Sequence, residues 1–173
     1  GEVHNPSGGV TVDGIEGDLS IRSSYEAVRV REVGGDLTVS TTSSGVSAVN
    51  IGGRADITTS YAGVELDGVG GAVDIRNQSG RVEVSGLSGA ALEAQHRIET
   101  SYGDVDLTWP ATGGTMSFVL ESTYGSIQSD FPATNRKRGS RENAEGRTSG
   151  DSGPSVANVT LTARSGSVFL RKE

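Results

Sequence analysis

The chain has 173 residues, 26 of them glycine, with no cysteine, one tryptophan and a formal net charge of −7. The missing cysteines exclude disulfides and thiolate metal sites. The acidic balance argues against nucleic acid as a partner, and the absence of any run of about 18 apolar residues excludes a membrane-spanning helix. The length suits one domain, and the start at Gly1-Glu2 without a signal-like stretch reads as a fragment or a processed product.

An 18-residue period organises the chain. Ile15, Val33, Ile51, Val69 and Leu87 form one column, and Gly17, Gly35, Gly53, Gly71 and Gly89 form another. Two more columns keep the spacing: Ile21, Val39, Ile57 and Ile75, then Val28, Val46, Val64 and Val82. Val3, Val10 and Val12 place the N-terminal segment one period earlier. Within each period, stretches such as Leu19-Ser20-Ile21-Arg22-Ser23 alternate apolar with polar residues, the signature of a strand. Gly, Ser, Asn and Asp supply the turns between them. A strand–turn–strand unit of this size cannot bury its own apolar face, but stacked units bury it against each other at about 4.8 Å per layer. A β-sandwich shows similar turns but has no reason to hold a fixed period.

The expected fold is therefore all-β: a single-stranded β-helix, or β-solenoid, of about eight rungs, one domain over residues 1–173. A left-handed coil would want a small aliphatic residue every sixth position. Ala27, Gly45, Gly63 and Arg81 break that pattern, so a right-handed coil is expected. The register resumes with Ile98, Val105 and Leu107 after a five-residue insertion that follows Gly89. Phe118, Leu120 and Ile127 give another rung, and Val159, Leu161, Val168 and Leu170 give the last. Between these two, residues 131–155 carry five basic and three acidic residues and read as a mobile polar surface loop. Its Arg136, Lys137, Arg138 and Arg141 would stay solvated, fold back on an acidic face or bind an anionic polymer.

Three further columns bear on function. Asn5, Ser23, Thr41, Thr59, Asn77, Thr100 and Ser122 are polar yet fall on the inward side, where they are expected to form a hydrogen-bonded internal ladder from rung to rung. Ser7, Tyr25, Ser43, Tyr61, Ser79, Tyr102, Tyr124 and Ser165 share a corner column that holds all four tyrosines. Tyr25 and Tyr61 are two rungs apart, roughly 9–10 Å. Their rings could stack on sugars or on a partner's side chains, or simply cover the corner with the hydroxyl in water. Glu65, Glu83 and Asp106 form an outward acidic column. Like charges on neighbouring strands repel, so these three are candidate calcium ligands or else a solvated negative face. Asp18 and Asp36, followed by Arg54, read as a self-compensating column.

Catalytic constellations are not found. Gly150-Asp151-Ser152-Gly153-Pro154 resembles a serine-protease nucleophile motif but sits in the loop, and neither His4 nor His96 lies in a supporting motif. No phosphate-binding glycine loop enters a helix, since helical patterning is confined to Ala90 to Arg97. A polysaccharide lyase or hydrolase would want converging carboxylates on long side loops, and the one long loop is basic. No enzyme activity and no cofactor are expected.

The segments Val33-Gly34-Gly35-Asp36-Leu37-Thr38-Val39 and Thr59-Ser60-Tyr61-Ala62-Gly63-Val64-Glu65-Leu66 resemble a bacterial adhesin-like family of β-solenoid domains of unknown function. Thr100 to Leu107 and Ala163 to Leu170 look like that family too, as does a polar insertion before the last repeat. The resemblance covers nearly the whole chain and implies a bacterial, non-catalytic domain of the cell envelope or surface. It carries no site residues. Two function classes remain as expectations: a surface module presenting Tyr, Ser, Thr and acidic columns to a glycan or surface protein, and a structural rod self-associating through uncapped solenoid ends.

Overall fold

The computed structural model describes residues 1–111, 114–147 and 157–173. Each coil contributes two strands. In chain order these are β1 (Glu2–Asn5) and β2 (Val10–Ile15), β3 (Leu19–Ser23) and β4 (Val28–Val33), then β5 (Leu37–Thr41) and β6 (Val46–Ile51). Next come β7 (Ala55–Thr59) and β8 (Val64–Val69), β9 (Val73–Ser79) and β10 (Val82–Leu87), and β11 (Gln95–Tyr102) and β12 (Val105–Trp109). The remaining strands are β13 (Met116–Ser122), β14 (Ile127–Ser129), β15 (Ala133–Arg138), β16 (Arg141–Arg147), β17 (Ala157–Ser165) and β18 (Val168–Lys172).

The strands form two sheets that sandwich one continuous core. One sheet runs β1-β3-β5-β7-β9-β11-β17-β13-β16-β15, and the other runs β2-β4-β6-β8-β10-β12-β18-β14. The register is the 18-residue period: Ile21 pairs with Val39, Val39 with Ile57, and Ile57 with Ile75. On the opposite sheet Val28, Val46, Val64 and Val82 stack in the same way. These side chains are almost wholly buried: the inward faces of the two sheets meet in the core, and each rung covers its neighbours. In the second sheet Glu32 and Asn50 take a left-handed backbone (φ 55° and 60°). That kink adds an extra residue, so Val30 and Val33, three apart, both face inward.

Eight rungs are present among the described residues, but not in chain order. The rung of β17 and β18 lies between that of β11 and β12 and that of β13 and β14, paired in parallel on both sides. Val159, Leu161, Val168 and Leu170 are therefore an interior rung, not the last one. Period alone could not reveal this. His96, Val159 and Phe118 share one inward column, and Ile98, Leu161 and Leu120 share the next. The core pattern thus accepts either order.

The five-residue insertion forms a short 3-10 helix, Gly89–Glu93, with Ala91 buried. The expected polar loop is also different in kind. Its residues 133–138 and 141–147 form a hairpin, and β16 pairs antiparallel with β13. Few apolar residues mark it because it plugs the stack with small ones: Ala144 lies opposite Leu120, and Gly146 lies opposite Phe118. A methyl group on Gly146 would come 2.5 Å from Phe118 Cζ, so only glycine leaves space for that ring. Phe131 packs on Phe118 with ring centroids 6.3 Å apart. This end of the first sheet is thus capped, contrary to the uncapped ends expected from sequence. Its outer strand β15 bears Arg136, Lys137 and Arg138, charges of the kind that discourage edge pairing. At the same end the second sheet stops at the three-residue β14.

Candidate functional site: a tyrosine edge

The polar inward column lies where the first sheet meets its corner. Ser23, Thr41, Thr59, Asn77, Thr100 and Ser122 are buried and Asn5 half-buried, as expected. The rung-to-rung ladder is not formed. Asn5 Nδ2 donates to Gly8 O (3.0 Å), Asn77 Nδ2 to Gly80 O (2.9 Å) and Ser122 Oγ to Gly166 O (2.8 Å), while Thr59 Oγ1 donates to Ser44 O (3.4 Å). The reason is distance. Neighbouring rungs are about 4.8 Å apart, beyond the reach of one short hydroxyl to the next. Corner carbonyls are closer. Ser23 Oγ, Thr41 Oγ1 and Thr100 Oγ1 find no partner among the described residues.

These side chains brace the corner that carries the tyrosines. Backbone bonds carry the register through it: Ser43 N donates to Ser24 O (3.0 Å), Tyr61 N to Thr42 O (3.1 Å), Ser79 N to Ser60 O (2.8 Å) and Tyr124 N to Arg164 O (2.9 Å). Tyr102 pairs with Ser79 on one side and Ser165 on the other. The interior placement of β17 has a consequence here. In chain order the column ends Tyr102, Tyr124, Ser165; in stack order it reads Ser7, Tyr25, Ser43, Tyr61, Ser79, Tyr102, Ser165, Tyr124. Serine and tyrosine alternate without exception. All four rings stand in solvent, Tyr25 71%, Tyr61 62%, Tyr102 57% and Tyr124 68% exposed. A shallow groove of about 390 Å³ is lined by Arg29, Gly45, Gly63, Glu65, Arg81 and Glu83 among others.

The acidic column has the expected register, with Glu83 between Glu65 and Asp106. Two of its three carboxylates, Glu83 and Asp106, meet arginines. Asp106, only 4% exposed, receives Arg81 Nη2 on Oδ2 (3.0 Å) and Arg171 Nε on both oxygens (2.9 Å each). Arg81 Nε also lies 3.8 Å from Glu83. Both oxygens of Asp106, the member of the candidate calcium set Glu65, Glu83 and Asp106 nearest the C-terminus, are thus held by arginine. Among the described residues no group of three His, Cys, Asp or Glu is placed to hold a metal ion. Asp18 and Asp36 do not compensate through Arg54's side chain either. Asp18 Oδ1 accepts the backbone N–H of Asp36 (2.9 Å), and Asp36 Oδ1 that of Arg54 (2.8 Å), so each carboxylate ties one rung to the next. The Arg54 guanidinium instead reaches Asp56 and Asp74.

His96 was not singled out by sequence reasoning, although its register, two residues before Ile98 as Val73 is before Ile75, marks it as inward. It is 2% exposed. Its Nδ1 accepts the N–H of Val73 (3.2 Å), its Nε2 lies 2.6 Å from Ala91 O, and Trp109 meets it edge-on at 6.1 Å. Such a ring is neutral with the proton on Nε2, and burial pushes its pKa below the ordinary value. It holds the 3-10 turn to the stack. Of the basic cluster, Arg141 pairs with Glu121 (3.2 Å). The Gly150–Pro154 motif lies outside the described residues.

A family model, Toastrack DUF4097, matches residues 2–171. The chain belongs to that family. The Toastrack name describes a domain of unknown function, and the stacked rungs seen here fit it. No curated protein and no solved structure matches this Toastrack domain. No helix among the described residues is long and apolar enough to cross a membrane.

Proposed function

We propose that this Toastrack domain is a non-catalytic binding module of the bacterial cell envelope or surface, and that its ligand docks along the serine–tyrosine edge. The observation that carries this reading is the alternation of four solvent-exposed tyrosines on every second rung, held by a corner whose backbone is bonded rung to rung. Solitary exposed aromatics need no explanation, whereas a regular row of them is the kind of surface that binds. The engagement of Asp106 by two arginines speaks against lyase or hydrolase chemistry at the acidic column. The hairpin cap, with its basic outer strand, weighs against the alternative of a rod that grows end to end.

The test is co-sedimentation with bacterial envelope fragments. Wild type is compared with a variant in which Tyr25, Tyr61, Tyr102 and Tyr124 are all changed to Ser, the residue of the intervening rungs. Retention of wild type and release of a variant with an unchanged melting curve is the expected result. Equal retention of both, or retention of neither, would overturn the reading.

A further inference from the structure

We infer that the ligand of the tyrosine edge is a linear β-1,4-linked glycan lying along the stack axis, with every second ring on a tyrosine; this rests on the binding-module reading above. Three features of the edge point to it.

The first is period. Tyrosines on alternate rungs are about 9.6 Å apart, and the row from Tyr25 to Tyr124 spans six rung spacings, about 29 Å. In an extended β-1,4-linked chain successive rings are turned over, so the same apolar face recurs on every second ring, at close to that advance. An α-linked chain coils and does not present one face in a line. A polypeptide strand repeats its side chains at about 6.6–6.8 Å, out of step with the row.

The second is relief. Between the tyrosines stand Ser43, Ser79 and Ser165, with Ser7 beyond Tyr25, all at least partly exposed. A serine leaves space under the intervening ring, and its hydroxyl can donate to or accept from that ring's hydroxyls. A tyrosine on every rung would instead present rings at half the disaccharide spacing.

The third is the neighbouring row. One residue before the column come Ser24, Thr42, Ser60, Gln78, Ser101 and Thr123, each at least partly exposed and uncharged. Arg164 is the charged member of that row. Hydroxyl and amide groups beside an aromatic platform suit a neutral polyol. They offer little to an anionic polymer, which the net charge of −7 would also repel.

Four tyrosines would seat rings one, three, five and seven of a single chain. The contacts are individually weak and become useful together, because after the first ring docks the others bind at high effective concentration.

The experiment is calorimetric titration of the intact domain with β-1,4-linked N-acetylglucosamine and glucose oligomers, from disaccharide to octasaccharide. α-1,4-linked glucose oligomers of equal length serve as the control. Affinity for a β-linked series should rise with length and level off between hexa- and octasaccharide. Tyr61→Ala should weaken octasaccharide binding by about three- to tenfold, and Tyr61→Phe should retain most of it. Equal binding of α-linked oligomers, no gain with length, or indifference to Tyr61→Ala would overturn the assignment. If no oligosaccharide binds while envelope fragments still sediment the domain in a tyrosine-dependent way, the glycan assignment falls and the edge is a protein-docking surface. If neither binds, both readings fall.

Discussion

The spacing of the rungs is set at the glycine corner between the two sheets, and a single methyl group should reveal it. At Gly71, in the middle of the stack, an added Cβ would lie 2.6 Å from Gly53 C, 2.7 Å from Gly53 O and 2.8 Å from Arg54 N. All three are backbone atoms, which cannot swing aside as a side chain can. Ordinary contact begins at 3.4 Å, so the rungs must part locally by up to about 0.8 Å. The flanking bonds Gly70 N to Ile51 O (2.8 Å) and Ala55 N to Ala72 O (2.9 Å) would then stretch to the limit of a hydrogen bond. Two weakened bonds at about 1 kcal/mol each, added to overpacking strain of about 1–3 kcal/mol, put Gly71→Ala at roughly 3–5 kcal/mol destabilising. Gly17 occupies the same column at the exposed first corner, where an added Cβ meets nothing within 4 Å. There alanine should be neutral or stabilise by up to about 1 kcal/mol through the unfolded chain. Urea unfolding of the two variants gives the comparison, and hydrogen exchange at the amides of Gly70 and Ala55 locates the damage. If the two substitutions shift the midpoint equally, backbone proximity at this corner does not set the rung spacing.

Three further outcomes follow from the packing. Ile57→Asp, at a fully buried position, should cost more than about 4 kcal/mol and unfold several rungs, whereas Tyr61→Ala should stay within about 0.5 kcal/mol; circular-dichroism melts distinguish them, and a silent Ile57→Asp would break the assigned register. His96 is held neutral and its pKa is lowered, so as the pH falls below about 6.5 the unfolded chain takes up a proton that the folded protein refuses, and stability should decline by up to about 1.4 kcal/mol per pH unit until the lowered pKa is reached. His96→Gln should reduce that acid slope in denaturation measured across pH, and an unchanged slope would assign it to other groups. Arg171→Ala leaves the buried Asp106 with Arg81 alone and should cost about 1–3 kcal/mol, with faster amide exchange concentrated in β18; uniform exchange throughout the chain would contradict a local latch.

How far the sequence could be read depended on what each residue's position encodes. Columns were legible, because Ile21, Val39, Ile57 and Ile75 must all face one interior for any rung to be stable. Neighbours were not. Leu120 and Leu161 fit equally well above Ile98, and nothing in a period-two pattern says which lies there. The hairpin escaped notice because its inward residues are Ala144 and Gly146, which match small gaps and leave no hydrophobic periodicity. The tyrosine column was visible from spacing, but its strict alternation emerges only from the true stacking order. The hydroxyl ladder failed, and the partners of Asp106 went unseen, for reasons invisible in a one-dimensional reading. Rung spacing exceeds hydroxyl reach, and Arg171 approaches Asp106 from 65 residues away along the chain.

The interior rung also constrains how the domain is made. β17 and β18 leave the ribosome after both of their neighbours, so during synthesis β11 and β13 exist while the strand that separates them does not. Vectorial, coil-by-coil growth can proceed as far as β12 and must then pause. β13, β14 and the hairpin can only wait loosely or lean on β11 in a provisional pairing that is later undone. Completion is therefore signalled by the arrival of a late segment in the middle of the stack. A chain cut short before Ala157 would lack the joint between the long stack and its cap.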